Sequence, residues 1–349
     1  MRVAIEAASL TLSSGGLARY TAELSLALAR LHPEDEFFLI SDQPFQMPTA
    51  APPNLKRGGG PRNLMERRWW LWGIASELNR IGANLIHGPD FAVPYIPRKA
   101  SVLTLHDLSP WLNPEWQSAE RVRHRTPLLL ELGLATMIVT PSEAVRKQAI
   151  DRFGLRPDRI VAVPEAAAPW LAPVAALPAT PYFLFVGTIE PRKNTLALIE
   201  AWRQVRRHAQ IDLWIVGRLR EDAPLISPEP GLRLLGEVPD ARLAELYSGA
   251  LAFVYPSLYE GFGLPVLEAM KCGACVIGSP AVAEAAGEAA VYAATTTELA
   301  QAMRRAADEP EWVAGWREKS LARAAQFTWD RTARETYDIY LEARARFGN

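Results

Sequence analysis

The sequence predicts an α/β protein with two doubly wound domains, each a parallel sheet covered by helices. The chain has 349 residues, which is long for a single hydrophobic core. A strand, a glycine-containing loop and an amphipathic helix follow one another from residue 2, and a similar series begins at residue 182. Residues 164–181 are rich in alanine and proline, which is typical of a stiff linker. These features together favour two domains joined at this linker.

Hydrophobic patterning predicts the elements of the first domain. Residues 2–7 form a short apolar strand, and a loop ending in Gly15 and Gly16 leads into a helix over residues 17–31. This opening lacks the Gly-x-Gly-x-x-Gly pattern, so it does not predict a dinucleotide site. Residues 43–62, rich in proline, glycine and alanine, are predicted to be a loop. Further strands are predicted at residues 37–41, 85–87, 102–105, 137–140 and 159–163, and further helices at residues 67–81, 118–133 and after Ser142.

The second domain is predicted to begin with a strand over residues 182–186, which is apolar throughout as a central parallel strand requires. A second strand, at residues 251–254, is equally free of charge, and Pro256 ends its pairing. Further strands are predicted at residues 212–216, 232–235 and 276–279, and helices at residues 195–207, 240–248, 296–325 and from 329 past 340.

Composition excludes several classes of protein. Apolar residues make up 49% of the chain and charged residues 22%, as in ordinary globular proteins. The net charge of −1 argues against a nucleic-acid partner. No apolar run approaches the ~18 residues of a membrane span, and residues 1–6 predict a strand instead of a signal peptide. We therefore expect a cytoplasmic protein.

Cys272 and Cys275 are the two cysteines of the chain, in the order Cys-Gly-Ala-Cys. This spacing is compatible with a redox pair or with half of a metal site. A second half is missing, and the pair falls where a predicted helix runs into a strand. The sequence therefore favours small buried residues.

The most informative stretch is residues 253–270, where a strand, a loop and a helix follow one another. Gly261 and Gly263 let the backbone approach a ligand closely, and a proline in the first helical turn costs nothing. The free N–H groups and the positive end of the helix dipole favour an anion there. Glu260 precedes this point and Glu268 follows it, with seven residues between them.

Two carboxylates around a phosphate-binding helix start suit a ligand with phosphates in its middle and hydroxyls at both ends. Ionised carboxylates accept hydrogen bonds from sugar hydroxyls, so a nucleotide sugar has the required layout. The alternative is that Glu268 only complements the helix dipole and that Glu260 is a solvated loop residue.

Arg192 and Lys193 form a second predicted anion site. They follow the strand at residues 182–186 and lie just before a helix, so two cations and free N–H groups converge. No Asp-x-Asp sequence occurs in the chain, and the two cations are natural substitutes for a divalent metal ion. The alternative is a solvated charged loop.

His106 and Asp107 follow the predicted strand at residues 102–105. The carboxyl edge of a parallel sheet is where α/β proteins bind ligands, which favours a functional role for His106. The alternative is a hydrogen-bonded structural histidine.

Four motifs, taken in their order along the chain, resemble the retaining glycosyltransferases of the GT-B fold, glycosyltransferase family four. The resemblance extends from residue 13 to about residue 330. It implies two Rossmann-like domains that face each other across a cleft. The motifs are Ser14-Gly15-Gly16, His106-Asp107-Leu108, Gly187-Thr-Ile-Glu-Pro-Arg-Lys-Asn194 and the Glu-x7-Glu motif from Glu260 to Glu268.

The resemblance also implies which part of the chain binds each substrate. Residues 1–165 would bind the acceptor, residues 166–180 would be the linker, and residues 181–328 would bind the nucleotide sugar. The last helix, residues 329–349, would cross back to the first domain.

The implied reaction moves a hexose from a nucleoside-diphosphate sugar to an acceptor hydroxyl with retention of anomeric configuration and without a metal or other cofactor. Glu260 and His106 are the implied catalytic residues. The substrate-binding residues would be Gly15, Gly16, Asp107, Arg192, Lys193, Gly261, Phe262, Gly263, Leu264 and Glu268.

The residues of the His-Asp-Leu and Glu-Pro-Arg-Lys-Asn motifs resemble those of mannosyl- and rhamnosyltransferases that act in surface polysaccharide synthesis. GDP-mannose is thus the first expected donor and a UDP-sugar the second, with a lipid-linked glycan as acceptor and peripheral contact with the inner membrane. Residues 67–72, Arg-Arg-Trp-Trp-Leu-Trp, suit a membrane surface or an acceptor groove, with interior packing as the alternative.

Other function classes stay open on sequence alone. A nucleotide-sugar epimerase or a phosphorylase of the same fold would use related residues, and a non-enzymatic nucleotide-binding protein would keep the phosphate site. An epimerase needs no acceptor groove, and a pyridoxal-phosphate phosphorylase needs a far longer chain.

Overall fold

The computed structural model describes residues 1–11, 15–113, 116, 120–175 and 180–347. The chain divides into two structural units, residues 1–165 with 328–349 and residues 166–327. Ser14 of the predicted turn, the start of the helix predicted from residue 118, and residues 176–179 of the predicted linker lie outside the described residues.

The first unit holds a sheet of parallel strands in the order β3-β2-β1-β4-β5-β6-β7. The strands are β1 (Arg2–Glu6), β2 (Glu36–Ile40), β3 (Leu55–Arg57), β4 (Leu85–Gly88), β5 (Ala100–Thr104), β6 (Met137–Thr140) and β7 (Ile160–Ala162). The α-helices of this unit are α1 (Gly16–Leu31), α2 (Ile74–Ile81), α3 (Ser109–Leu112), α4 (Glu120–Glu131), α5 (Glu143–Phe153) and, at the end of the chain, α12 (Trp329–Phe347).

The second unit repeats the plan with the strand order β10-β9-β8-β11-β12-β13, again parallel throughout. Its strands are β8 (Tyr182–Val186), β9 (Asp212–Val216), β10 (Leu232–Gly236), β11 (Ala252–Tyr255), β12 (Val276–Gly278) and β13 (Val291–Tyr292). Its α-helices are α6 (Thr195–Arg206), α7 (Asp240–Gly249), α8 (Leu264–Lys271), α9 (Ala283–Ala286), α10 (Thr296–Asp308) and α11 (Pro310–Ala324).

The strand orders confirm the predicted class, two doubly wound α/β sheets. The sequence missed the edge strands β3 and β13, which have only three and two residues. Lys56 and Arg57 of β3 are exposed, so the hydrophobic signal of a strand is absent there. In the central strand β8, by contrast, four of the five residues are buried.

The helix predicted over residues 67–81 is an α-helix only from Ile74 onward. Residues Trp69–Gly73 form a wide π-helical turn, and α2 follows at Ile74. A Cβ atom on Gly73 would lie 2.3 Å from the carbonyl oxygen of Glu66 and 2.4 Å from the Trp69 ring, so the turn requires glycine. Trp69 itself is buried, and Arg125 lies over the ring of Trp70. These two tryptophans therefore pack against the interior of the first unit, which was the alternative to a membrane surface or an acceptor groove.

The predicted linker is shorter in the structure than its composition indicates. Ala167, Ala168 and Leu171 are buried in the core of the second unit. Alanine side chains are small enough to pack in this core. A run of alanines and prolines has no periodic pattern of large apolar residues, so the sequence did not predict their burial. Residues 172–175 are exposed.

Helix α12 belongs to the first unit, although it follows the second in sequence. Its buried residues recur at helical spacing, from Trp329 to Ala343. The Tyr340 hydroxyl lies 2.6 Å from Nδ1 of His87, and Thr332 donates to the carbonyl of Pro164 at 2.7 Å. Burial lowers the pKa of His87 to about 3, so this histidine is neutral. Among the helices that the structure describes, none is long and apolar enough to cross a membrane.

Glu6 ends β1 as a buried carboxyl group. One oxygen accepts the backbone N–H of Ala8 at 3.2 Å, while Oε1 has no partner among the described residues. Burial raises the pKa of Glu6 to about 8, and the nearby carboxylates of Asp90 and Asp42 act in the same direction. The folded chain therefore keeps this carboxyl protonated at neutral pH.

We predict that Glu6→Gln stabilises the protein more at pH 8 than at pH 5. Below pH 4.5 the folded and unfolded states both carry the proton; between 4.5 and about 8 only the unfolded state loses it. The contribution of Glu6 to folding stability therefore falls by up to about 1.4 kcal/mol per pH unit in this window. Chemical denaturation at both pH values measures the difference. The exposed Glu131→Gln is the control, and equal shifts at both pH values would contradict the prediction.

Candidate active site

The two motifs of the second unit that were predicted to bind an anion converge because their strands are neighbours. β8 and β11 pair in parallel, so the loops that follow them, residues 187–194 and 256–263, leave the sheet at the same edge. The backbone N–H of Leu258 donates to the carbonyl of Arg192 at 2.9 Å and ties the loops together.

Glu260 bridges the two predicted cations. Nζ of Lys193 donates to Oε1 of Glu260 at 2.6 Å, and Nη1 of Arg192 lies 3.4 Å from Oε2. Arg192 also donates to the carbonyl of Tyr259 at 2.8 Å. The structure thus joins three residues that the sequence assigned to separate parts of a ligand.

A second carboxylate, Glu190, holds the other side of Arg192. Its Oε1 accepts from Nη2 at 2.8 Å and from Nε at 3.1 Å, while its Oε2 accepts from Arg220, which also pairs with Asp222. Neither Glu190 nor Arg220 was predicted as a site residue. Glu190 lies two residues before Arg192, a signal that was available, whereas the approach of Arg220 depends on the pairing of β8 with β9.

The electrostatics of this cluster differ for its two central groups. Burial raises the pKa of the Glu260 carboxyl, but Lys193 and Arg192 outweigh burial and hold it below its usual range. Burial lowers the pKa of Lys193, and Glu260 opposes this only in part because Arg192 repels the ammonium. Glu260 is therefore an ionised acceptor of hydrogen bonds.

Tyr255 supports this pair from the core. Its hydroxyl accepts a hydrogen bond from Nζ of Lys193 at 2.6 Å, and its ring stacks between those of Phe185 and Phe253. Burial raises the pKa of Tyr255 well above its ordinary value, so the phenol stays neutral. A rigid aromatic stack fixes the height of the Lys193 ammonium above the sheet edge.

Helix α8 begins next to this cluster. Gly263 precedes it with φ of 107°, and a Cβ atom there would lie 3.2 Å from Cγ1 of Val282, so both backbone and space favour glycine. The first hydrogen bond from within the helix runs from the N–H of Val266 to the carbonyl of Gly263. The N–H groups of Gly263 and Leu264 thus precede the helical hydrogen-bond pattern. Gly261 lies in the loop and is half-buried.

Glu268 and Phe262, both predicted to bind substrate, are buried in different surroundings. Glu268 is buried, and the hydroxyl of Tyr247 donates to its Oε2 at 3.0 Å. Phe262 was predicted as a substrate contact, but its side chain packs in the core at 5.7 Å from the Phe327 ring. Its apolar ring is more stable there than in water, and its predicted substrate contact stays a prediction.

The first unit holds His106 between two acceptors. Nδ1 lies 3.1 Å from Oε1 of Glu165, and Nε2 donates to the carbonyl of Pro89 at 2.7 Å. Burial lowers the pKa of His106, but the hydrogen bond and charge of Glu165 prevail and raise it above the usual value. Two acceptors, one of them a carboxylate, favour the imidazolium form, which donates from both nitrogens.

Asp107 and the glycine loop have local roles. Asp107 accepts from the backbone N–H of Ser109 at 2.8 Å and from its hydroxyl at 2.7 Å, which forms a local turn just before α3. Gly15 precedes α1 with φ of 119°, and Gly16 is the first residue of that helix. The predicted substrate contacts of these three residues stay predictions.

Burial distinguishes between the alternatives for Cys272 and Cys275, which were a redox pair, half of a metal site and small buried residues. Both thiols are buried, and burial raises the pKa of Cys272 and of Cys275 to about 12. Thiols of this kind are poor nucleophiles at neutral pH, so the pair is structural.

Potential metal ligands group elsewhere. In the described part of the chain, His32, Glu34 and Asp35 have ligand atoms within 4.8 Å of one another. Asp35 already pairs with the N-terminal ammonium and accepts from Tyr337. No such group in the described ranges includes Glu260 or Glu268.

The two doubly wound parallel sheets give the chain the architecture of the GT-B fold, which solved glycosyltransferases share. The profile described as "Glycosyltransferase Family 4" matches residues 14–169, and the profile described as "Glycosyl transferases group 1" matches residues 180–309. The two matches together span most of the chain, which therefore belongs to glycosyltransferase family four and is a glycosyltransferase.

Curated relatives agree with this assignment. The chain is 34% identical to the O-antigen chain mannosyltransferase B of Escherichia coli over 310 residues, which cover 79% of this chain and 78% of the relative. It is 28% identical over 265 residues to a serotype-specific mannosyltransferase WbdA of the same organism, covering 67% of this chain. The match spans 32% of that longer relative.

Solved structures share the fold. Sucrose-phosphate synthase from Thermosynechococcus elongatus superposes with a TM-score of 0.76 at 20% identity, covering 99% of both chains. Anabaena HepE, in complex with UDP-glucose, gives 0.72 at 17% identity over 98% of this chain and 100% of HepE.

We predict that Tyr255→Phe lowers turnover about tenfold, because a hydrogen bond to a charged group contributes about 1.5–3 kcal/mol. The ring stack is kept, and Tyr182→Phe also loses a buried hydrogen bond, so the melting temperature should fall by a similar amount in both variants. Steady-state kinetics and thermal unfolding measure the two effects. Tyr182→Phe is the matched control, since its buried hydroxyl donates to the carbonyl of Leu246 away from the cluster. Equal loss of turnover in both variants would refute a special role for Tyr255.

Proposed function

We propose that this glycosyltransferase moves a hexose from a nucleoside-diphosphate sugar to a hydroxyl of a glycan acceptor with retention of configuration. The observation that carries the proposal is the contact of Glu260 with both Lys193 and Arg192 beside the start of α8. A carboxylate next to two cations and a helix N-terminus suits a ligand that carries both hydroxyls and phosphates.

In this proposal the diphosphate binds Arg192, Lys193 and the N–H groups of Gly263 and Leu264. Arginine offers two parallel donors to phosphate oxygens, and lysine supplies a compact charge. Glu190 keeps the guanidinium of Arg192 in place, and Arg220 binds the other oxygen of Glu190.

The two acids of the motif take different parts of the donor. Glu268, fixed by Tyr247, accepts hydrogen bonds from the ribose. Glu260 accepts hydrogen bonds from the sugar and stabilises the positive charge that develops at the anomeric carbon. In the first unit we propose that His106 contacts a sugar and that Gly15, Gly16 and Asp107 contribute to substrate binding.

The proposed step breaks the bond between the anomeric carbon and the phosphate oxygen and forms a bond from that carbon to the acceptor oxygen. The acceptor proton goes to the departing phosphate oxygen. Arg192 and Lys193 offset the charge of the leaving diphosphate, so the step as proposed uses no metal ion.

Mannose from GDP-mannose is the proposed transfer, with a UDP-sugar as the second candidate. The mannosyl choice is supported by the name of the relative with 34% identity, an O-antigen chain mannosyltransferase. The nucleotide-sugar class is supported by the similarity to HepE, whose structure contains UDP-glucose. The proposed acceptor is a lipid-linked glycan of surface polysaccharide synthesis. None of the proteins compared above is named as an epimerase or a phosphorylase.

We predict that Glu260→Gln lowers turnover at least tenfold while nucleotide affinity holds or rises. The amide cannot supply the negative charge that the transition state needs, and the two cations lose a competing carboxylate. Kinetics and calorimetry with the free nucleoside diphosphate measure the two quantities. The control is Glu245→Gln, a half-exposed glutamate of α7. Unchanged turnover would exclude the proposed role.

A thermal-shift panel of GDP, UDP and ADP tests the donor class. We expect GDP to raise the melting temperature most, because a ligand at a hundred times its Kd stabilises the folded state by about 2.7 kcal/mol. The same panel with a chelator should give the same order and the same shifts. Loss of the shifts with the chelator would contradict metal independence, and a preference for UDP would contradict GDP-mannose as donor. Product anomers identified by NMR then test retention.

A further inference from the structure

Ser257, the second residue after β11, carries a buried hydroxyl group without a partner. The residue is completely buried, and its Oγ has no hydrogen-bond partner among the described residues. A hydroxyl in this position costs free energy, because it gives up its hydrogen bonds to water and receives none in return. Since it lies in the loop that carries Glu260, this group is a candidate for a role in the reaction.

The backbone around this side chain is fixed by bonds from other segments. Nδ2 of Asn194, which precedes α6, donates to the carbonyl of Pro256 at 3.4 Å. The hydroxyl of Ser279, which follows β12, donates to the carbonyl of Ser257 itself. The hydroxyl of Ser257 can therefore reach a new partner by rotation about its χ1 bond, without movement of the loop.

Glu260 is the acceptor that this hydroxyl faces. Burial raises the pKa of the Glu260 carboxyl, Lys193 and Arg192 lower it, and the hydroxyl of Ser257 lowers it further. Oε1 accepts from Lys193 at 2.6 Å, whereas Oε2 lies 3.4 Å from Nη1 of Arg192, which is long for a hydrogen bond. Each oxygen of an ionised carboxylate accepts hydrogen bonds, so Oε2 can take a further donor.

Tyr255 is the other group that faces the hydroxyl of Ser257. Burial raises the pKa of this phenol, and the Ser257 hydroxyl lowers it in part. The phenol oxygen already accepts a hydrogen bond from Lys193 at 2.6 Å. A carboxylate is a stronger acceptor than a neutral phenol, which favours Glu260 as the partner.

We propose that Ser257 is a positioning residue, whose hydroxyl donates a hydrogen bond to the carboxylate of Glu260 as the diphosphate leaves. The inference rests on the proposed function. In the proposed step the leaving diphosphate gains negative charge, which draws Arg192 and Lys193 away from Glu260. The hydroxyl replaces these donors from a fixed backbone, so the carboxylate keeps its direction while positive charge develops on the sugar.

Steady-state kinetics of Ser257→Ala, alone and combined with Glu260→Gln, test the proposal. We expect the single change to lower kcat about tenfold, since a hydrogen bond to a charged group is lost in the transition state. KM for the donor should change less than about twofold, because the hydroxyl does not bind the ground state. In the Glu260→Gln background the further loss should be less than about twofold, because the hydroxyl acts through that carboxylate.

Ser320→Ala is the matched control. Ser320 lies in α11, is also completely buried, and has an Oγ without a partner among the residues that the structure describes. Both alanine variants remove an unpaired hydroxyl, so their melting temperatures should equal or exceed that of the parent chain. Only Ser257→Ala should lose turnover.

Four results would overturn the role of Ser257. They are unchanged kcat in Ser257→Ala, an equal loss in Ser320→Ala, the same tenfold loss in the Glu260→Gln background, or a lower melting temperature in Ser257→Ala alone. The last would show that the hydroxyl already has a partner. If Glu260→Gln itself keeps full turnover, the proposed function of Glu260 fails. If Glu260→Gln is slow and Ser257→Ala is not, only the inference about Ser257 fails.

Discussion

The carboxylate of Glu260 lies against two cations that come from a different loop of the second unit. Lys193 and Arg192 follow β8, whereas Glu260 follows β11, and only the parallel pairing of these strands brings the three together. The position of the Glu-x7-Glu motif relative to these two cations is thus set by the register of the sheet. A shift of one residue in that register would turn each side chain to the opposite face.

Around this contact the core supplies fixed hydrogen-bond partners. Tyr255 holds Lys193, Tyr247 holds Glu268, and Phe253 contacts both tyrosine rings. Buried aromatic side chains have few accessible rotamers, so they transmit the rigidity of the sheet to the ionic groups at its edge. The first unit applies the same principle at His106, whose ring packs edge-on against Tyr20 at 4.7 Å.

The sequence predicted the parallel architecture and the chemistry-bearing loops because both have local signals. Continuous apolar strands reveal a buried sheet, and the glycine and proline around residue 263 reveal a helix start. It did not predict that Phe262 packs in the core, that Asp107 binds Ser109, or that Arg220 reaches Glu190. Those outcomes depend on which groups the fold brings within a few ångströms, and neither spacing nor periodicity encodes such contacts. The edge strand β3 was missed for a related reason, since its charged residues carry no hydrophobic pattern.

The ionic cluster is hard to explain as a device for stability. Three cations, Arg192, Lys193 and Arg220, are joined by ion pairs to Glu190, Glu260 and Asp222, and most of these groups are buried or nearly so. Removing such charges from water costs several kcal/mol per ion, and apolar residues of similar volume often give equal or greater stability. A chain selected for folding alone would gain little from this arrangement. The cluster places opposite charges beside the start of α8, which is the arrangement that the proposed nucleotide-sugar donor requires.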